Sequence, residues 1–543
     1  MLYAQANVPT EFSLQAAAPY ADPFREVELE VVFSGPGGEW RVPAFWAGGN
    51  AFQVRFAAPE PGRYAYRSLC SNPQDPGLHD RSGELEVTPY QGPAELYRHG
   101  RLRVAASGRT LEHADGTPFF WMGDTWWMGL TKRLDWPHGF RHLAADRVAK
   151  GFTLVQIVAG PLPDFDAETA TWHPQQANEA GWPWEQGWAS LNPAFYDLAD
   201  LRLAHLVECG LVPCIVGMWG YYLTFMGVEN VRRHWRNLVA RYGAYPVIWC
   251  LAGEVNMPTY SHFGDRERRE ADKAAQEEGW TEVARYVREL DPYHNPVSAH
   301  PSHPDSRAML RDDTLLDVDM LQTGHGSYAS LRPSVETVCA CLAQEPPMPV
   351  VNSEVCYENI MGGSQQEVQR FLFWTSLTSG SAGHTYGAQG IWAMSSRDEP
   401  FRGTTGSWGD GCWQDVMHLP GSGQVALGRR FFARYPWWRF VPRPEPEVDR
   451  PWTFATGIPG AVAVCYLAAN CMERDFHGVH GGRLTIEPAA HYRAYWFNPR
   501  TGADLEIGPV QPGADHLWPV PAKPTMEDWV LVLEDREALD RPA

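Results

Sequence analysis

No stretch of this 543-residue chain holds the 20 or so consecutive apolar residues that a helix needs to cross a bilayer, so no membrane-spanning helix is expected. Basic residues are in deficit, with 45 Lys and Arg against 65 Asp and Glu, a formal charge of -20. Such a field repels phosphate backbones and anionic lipid, which excludes nucleic acid and membrane as partners. Cysteine is sparse and unpatterned. Of the ten, Cys339 and Cys341 form only a C-x-C, none falls at zinc-site spacing, and Cys214, Cys250 and Cys465 sit inside apolar runs, where free thiols in a reducing cytosol are expected. The opening MLYAQANVPTEFSL lacks the basic start and apolar core of a secretion signal, so a cytoplasmic location is expected.

Tryptophan, by contrast, is plentiful at 24 residues; such rings stack on sugar faces or fill cores, a weak lean toward carbohydrate. Three textures divide the chain. Alternation and turn signals in VELEVVFSGPGGEW, AFQVRFAAPEPGRYAYRS and GELEVTPY predict an N-terminal antiparallel β-sandwich, placed at 1–95. AVAVCYLA, YRAYWFNPRTGADLEIG and WVLVLE predict a second β-sandwich at 435–543. Between them, in 96–434, strand-like and helix-like segments alternate: FFWMGD, GFTLVQIVAG, LVPCIVGMWG, PVIWCLAGE, PVSAH, LLDVDMLQTGHG, PVVNSE and AGHTYG, each with a candidate helix before the next. Eight such units predict a central (β/α)8 TIM barrel flanked by the two sandwiches.

On this count Glu254 ends strand four and Glu354 ends strand seven. Parallel barrels place their chemistry at the C-terminal strand ends, so both carboxyls are expected in one pocket. Two carboxyls, one protonated to release a leaving oxygen and one ionised to meet the charge growing on a sugar carbon, are what cleavage of a glycosidic bond needs. Taken singly, each Glu could equally end a strand or cap a helix.

The middle region resembles the apiosidase-like barrels related to glycoside hydrolase family 140, within the clan A retaining glycoside hydrolases, through GDTWW (123–127), VIWCLAGE (247–254), VVNSEVCYE (350–358) and AGHTYGAQGIW (382–392). The flanking segments look like the sandwiches that often accompany such barrels. The resemblance implies that Glu254 is the general acid/base and Glu354 the nucleophile of a double displacement with retention, needing no metal and no organic cofactor. It also implies a raised pKa for Glu254 and hydrogen-bond donors, such as Tyr386 or His325, on Glu354. Two departures stand out. The clan usually has Asn before the acid/base, where this chain has Gly253, and many apiosidase-like sequences carry Asp at the position of Glu254.

Further substrate-binding candidates lie at predicted strand exits or inside those motifs: Asp124, Trp126, Asn256, His300, His325, Tyr357, His384, Tyr386 and Trp392. Each has a bland reading beside the functional one, Asp124 as an N-cap and Trp392 as a barrel-rim core residue. The segment PLPDFDAETATWHPQQANEAGWPWEQGWAS, with Trp172, Trp182, Trp184 and Trp188, is long for a βα loop. It either closes one end of the cleft, making the enzyme act on a single terminal sugar, or packs as a lid on its own domain or a neighbouring subunit. The substrate expected is a small glycoside or oligosaccharide with a terminal pentosyl or furanosyl unit, apiose- or arabinose-like. A homo-oligomer is left open. The alternatives are a non-catalytic glycan-binding protein and a metal-dependent barrel hydrolase drawing on HPSHPD (300–305), Asp317 and Asp319.

Overall fold

The computed structural model describes residues 1–403, 408–443, 454–469, 472, 483–487 and 491–540. Its centre is an eight-stranded parallel sheet of Trp121–Trp126 (β1), Leu154–Val158 (β2), Val212–Val216 (β3), Ile248–Cys250 (β4), Val297–Ser298 (β5), Asp319–Gln322 (β6), Val350–Glu354 (β7) and Gly383–Tyr386 (β8). The order β5-β4-β3-β2-β1-β8-β7-β6 makes a nearly closed barrel. At the seam between β5 and β6, the Asp317 amide donates to the Val297 carbonyl at 2.7 Å and Ser298 Oγ to the Val318 carbonyl at 2.7 Å. All eight predicted strands are present.

The helices follow their apolar spacing. In α3 (Val228–Tyr242), Val231, Trp235, Leu238 and Tyr242 line the buried face at three- and four-residue steps. Helix α4 (Arg266–Leu290) starts where Asp265 accepts from the amides of Glu267 and Arg268. His138–Lys150 (α1), Pro193–Glu208 (α2), Leu331–Leu342 (α5), Gln366–Thr378 (α6) and Pro420–Phe432 (α7) complete the layer. The expectation of a helix after every strand fails once. Between β5 and β6 the chain makes only 3-10 turns at Arg307–Met309 and Asp313–Leu315, because Pro301 and Pro304 interrupt any helical run there.

The N-terminal domain is a sandwich of a five-stranded and a three-stranded sheet, its core built on Phe33 stacked against Phe56 at 4.0 Å. It is not wholly antiparallel, since Leu2–Gln5 pairs in parallel with Ser82–Thr88. A small antiparallel sheet, Leu102–Val104, Leu111–His113 and Pro118–Phe119, links it to β1 and was not foreseen. At the C-terminus a six-stranded and a two-stranded antiparallel sheet form the other flank. One face of the six-stranded sheet covers α6, where Trp374 stacks on Tyr466 at 6.0 Å, so α6 is buried from Val368 to Thr378. Arg370 of α6 makes a two-pronged pair with Asp528 at 2.8 Å.

Candidate active site

Glu354 ends β7 and is 4% exposed. His300, just beyond β5, places Nε2 at 2.8 Å from one carboxyl oxygen, and His325, beyond β6, places Nε2 at 3.0 Å from the other. The Tyr357 hydroxyl donates to that second oxygen and itself accepts from Trp127 Nε1 at 2.9 Å. Burial pushes the Glu354 carboxyl up, but His300 and His325 outweigh it and hold the group well below the usual carboxylate range. Burial also pushes the His325 imidazole down; Cys356 and Glu354 reverse that and set it at about 9.

Glu254 lies four residues past β4 with φ +43°, a left-handed conformation that costs a non-glycine residue energy and is found where a loop must aim a side chain. Its carboxyl accepts from Gln322 Nε2 at 2.9 Å and from Trp219 Nε1 at 3.3 Å. Burial and the Glu354 charge push it above the ordinary value of 4.5, against the Gln322 hydrogen bond. Gln322 is paired with Glu354 across the irregular end of β6 and β7, so a single residue spans the two acids. The site therefore holds one carboxyl that favours its proton beside one that gives it up.

The departure at Gly253 has a steric cause. A Cβ on Gly253 would meet the Trp219 ring at 2.1 Å, so the indole occupies the volume an Asn side chain would need. Trp219 lies edge-on to Trp127 at 5.6 Å, and Trp127 edge-on to His300 at 5.1 Å, giving the floor an aromatic lining. On the Glu354 side, Trp392 stacks on Tyr357 at 6.2 Å and Trp408 lies 5.0 Å from the His325 ring.

Of the candidates read from sequence, the structure gathers Glu254, Glu354, His300, His325, Tyr357 and Trp392. Asn256 stays in the loop after Glu254, its side-chain oxygen accepting from Ser302 Oγ. Four others face the helix layer instead. Asp124 is fully buried and accepts from Arg147 Nε of α1 and Trp126 Nε1, while Trp126 packs edge-on to Phe140 at 5.6 Å. His384 packs edge-on to Phe373 of α6, with burial driving its pKa down to about 3. Tyr386 donates to Glu358, not to Glu354. Strand alternation is the reason: residues 124 and 126, and residues 384 and 386, share the outward face of their strands, whereas Thr125 and Thr385 turn inward. Sequence reading missed Trp127, Trp219 and Trp408 and left Gln322 unassigned; the glycine before Glu254 was the available sign of a bulky neighbour.

Among the described residues no three His, Cys, Asp or Glu side chains converge as a metal site. The ligands considered for a metal hydrolase disperse, His300 to Glu354, Asp317 to Arg288 at 2.8 Å and Asp319 to Ser306 Oγ at 2.8 Å.

Two carboxyls at the C-terminal rim of a parallel barrel, near enough that the charge of one raises the pKa of the other, suit the chemistry of glycoside hydrolases. Family comparison agrees: the model of the apiosidase-like catalytic domain matches residues 105–439, so the chain belongs to that family and is a glycosidase acting on carbohydrate. A domain of unknown function, DUF5060, matches residues 7–71, and a candidate collagen-binding domain of a collagenase matches residues 483–534. No curated protein sequence matches the chain. Among solved structures, a candidate glycoside hydrolase from Bacteroides vulgatus ATCC 8482 aligns with TM-score 0.72 and 16% identity over 98% of this chain and 100% of its own. A glycoside hydrolase family 5 protein from the same organism aligns with TM-score 0.64 and 20% identity over 81% of this chain and 94% of its own. At these identities the likeness is one of fold.

Proposed function

We propose that the protein is a retaining, exo-acting glycosidase that removes a terminal pentosyl or furanosyl residue, apiose- or arabinose-like, from a small glycoside or oligosaccharide. The observation that carries this reading is the opposed proton affinity of the two acids, Glu254 raised and Glu354 lowered. In the first step Glu254 gives its proton to the departing oxygen while Glu354 attacks the anomeric carbon. Glu254, now a carboxylate, then takes a proton from water, which displaces Glu354 and restores both groups. His300, His325 and Tyr357 keep the nucleophile ionised and fixed.

The exo reading is supported by the long loop after β2. Its Asp166 accepts from the Ser261 amide at 2.5 Å and its Ala167 amide donates to Thr259 Oγ1 at 3.1 Å, tying it to the loop that carries Glu254. The sugar is drawn from the family. Residues 96–434 form the catalytic unit in this reading. Segments 1–95 and 435–543 buttress it, through Arg55 with Asp200 and Arg370 with Asp528. Nine free cysteines among the described residues, with Cys214 and Cys250 inside the barrel, support a reducing, cytoplasmic compartment.

A panel of aryl glycosides, assayed with wild type, Glu354→Gln and Glu254→Ala, tests the function. Turnover of a pentofuranoside with the anomer retained in the first-formed sugar is expected, with Glu354→Gln inactive and Glu254→Ala active only on good leaving groups. Inversion, or wild-type turnover by Glu354→Gln, would overturn it.

A further inference from the structure

Gln322 ends β6 beside both acids. Its backbone is in register with Glu354 on β7, on strands that lie about 4.8 Å apart in such sheets. Its side-chain Nε2 donates to Glu254 Oε1 at 2.9 Å. The residue is 6% exposed, and its Oε1 is buried with no hydrogen-bond partner among the described residues. The oxygen and nitrogen of an amide are about 2.2 Å apart, so this oxygen lies within about 5 Å of the Glu254 carboxyl. A buried acceptor left unpaired is costly, and native interiors hold few of them. Beside two catalytic carboxyls, the donor that pairs it is a group of the substrate.

Chemistry narrows which group that is. In the proposed mechanism the anomeric carbon sits between Glu254 and Glu354. It carries the leaving oxygen, the ring oxygen and the carbon that bears the 2-hydroxyl. The leaving oxygen meets the Glu254 proton. A ring oxygen has no hydrogen and is repelled by an acceptor, whereas the 2-hydroxyl has one to give. Neighbouring polar groups are turned elsewhere: His300, His325 and Tyr357 face Glu354, and Asn256 Oδ1 accepts from Ser302. Trp219 fills the volume that a side chain at 253 would need. Gln322 Nε2 and Trp219 Nε1 both donate to Glu254, so neither competes for the proton that the acid gives up.

Resting on the glycosidase reading of Glu254 and Glu354, we propose that Gln322 is a specificity-determining residue whose Oε1 accepts the hydroxyl next to the anomeric carbon, so that the enzyme selects sugars carrying a 2-hydroxyl. The test compares kcat/KM for the 2,4-dinitrophenyl glycoside of the preferred sugar, its 2-deoxy counterpart and a counterpart lacking a hydroxyl remote from the anomeric carbon, in wild type, Gln322→Met and Gln322→Glu. Dinitrophenolate departs without an acid, so the lost contact with Glu254 does not enter. The ratio of two substrates on one preparation is also independent of how much of a variant is folded. The preference for the parent over the 2-deoxy substrate is expected to fall by about tenfold in Gln322→Met, which is similar in volume but has no acceptor amide. It should hold in Gln322→Glu, which keeps an acceptor, and the remote-hydroxyl ratio should be unchanged in both. A residue that merely packs the site would slow all three substrates alike. An equal 2-deoxy preference in wild type and Gln322→Met, or a fall as large in Gln322→Glu, overturns the proposal. Failure of the glycosidase reading shows separately, as wild-type turnover by Glu354→Gln.

Discussion

The indole of Trp219 fills the space that a side chain on residue 253 would need, and from there it reaches Glu254 Oε2 at 3.3 Å. A methyl group at 253 must therefore push back the ring that donates to Glu254, the acid of the proposed mechanism. Gly253→Ala is expected to lower kcat/KM by about 10- to 100-fold, the scale of a catalytic group displaced by about 1 Å. Overpacking adds a stability loss of about 1–3 kcal/mol. Kinetics and urea unfolding on one preparation check both. Trp219→Phe, which loses the N–H and the five-membered ring, should lose activity through the missing donor and carry a stability cost of its own from the cavity it leaves.

The pH profile follows from the two acids. In the proposed mechanism Glu354 attacks only when ionised, so activity falls as pH drops through its depressed pKa, and Glu254 acts only when protonated, so activity falls as pH rises through its raised pKa. His300→Ala removes a group that holds Glu354 down, and the acidic limb of kcat/KM should move to higher pH. Burial holds Glu254 up first and the Glu354 charge second, and Glu354→Gln removes only the second. A titration of Glu254 in that variant, followed by carboxyl infrared absorption, should show its pKa falling back toward the ordinary value.

Away from the cleft, Asp319 titrates at about 7, raised by burial and by Asp305. With an unfolded value near 3.8, the folded state holds one more proton than the unfolded state between pH 3.8 and 7. Stability therefore falls as pH rises through that window, by up to about 1.4 kcal/mol per pH unit. Asp319→Asn keeps an oxygen for Ser306 and carries no charge, so its unfolding free energy should overtake that of wild type as pH rises from 5 to 8. Parallel pH dependences in the two proteins would show that folding does not raise the pKa of Asp319.

What the sequence disclosed followed the reach of its signals. Each barrel strand is a short apolar run bounded by glycine, proline or polar residues, and all eight could be placed; the helix expected between β5 and β6 was not there, and the prolines of HPSHPD are the reason. Glu254 and Glu354 were legible because each ends such a run. Facing was not. Asp124, Trp126, His384 and Tyr386 lie in family-like motifs, but the turn of a strand by one residue decides between cleft and helix layer, and the motif does not record it. Trp219 and Gln322 act through contacts between distant strands, which no local spacing reveals.

Asp124 gives that distinction a direct test. Its carboxylate and the Arg147 guanidinium are both 0% exposed in their side chains, and Arg147 also reaches Asp146 and the Met417 carbonyl. Removing one charge leaves the other buried beside fewer partners, a loss of about 3–5 kcal/mol for pairs of this kind. Asp124→Asn should therefore unfold at lower denaturant, while the KM of the folded fraction stays at the wild-type value, because the group faces α1 and not the sugar. A raised KM with unchanged unfolding would return Asp124 to the substrate. Chemical denaturation and steady-state kinetics on the same sample separate the two outcomes, since a structural ion pair moves the first and a sugar ligand the second.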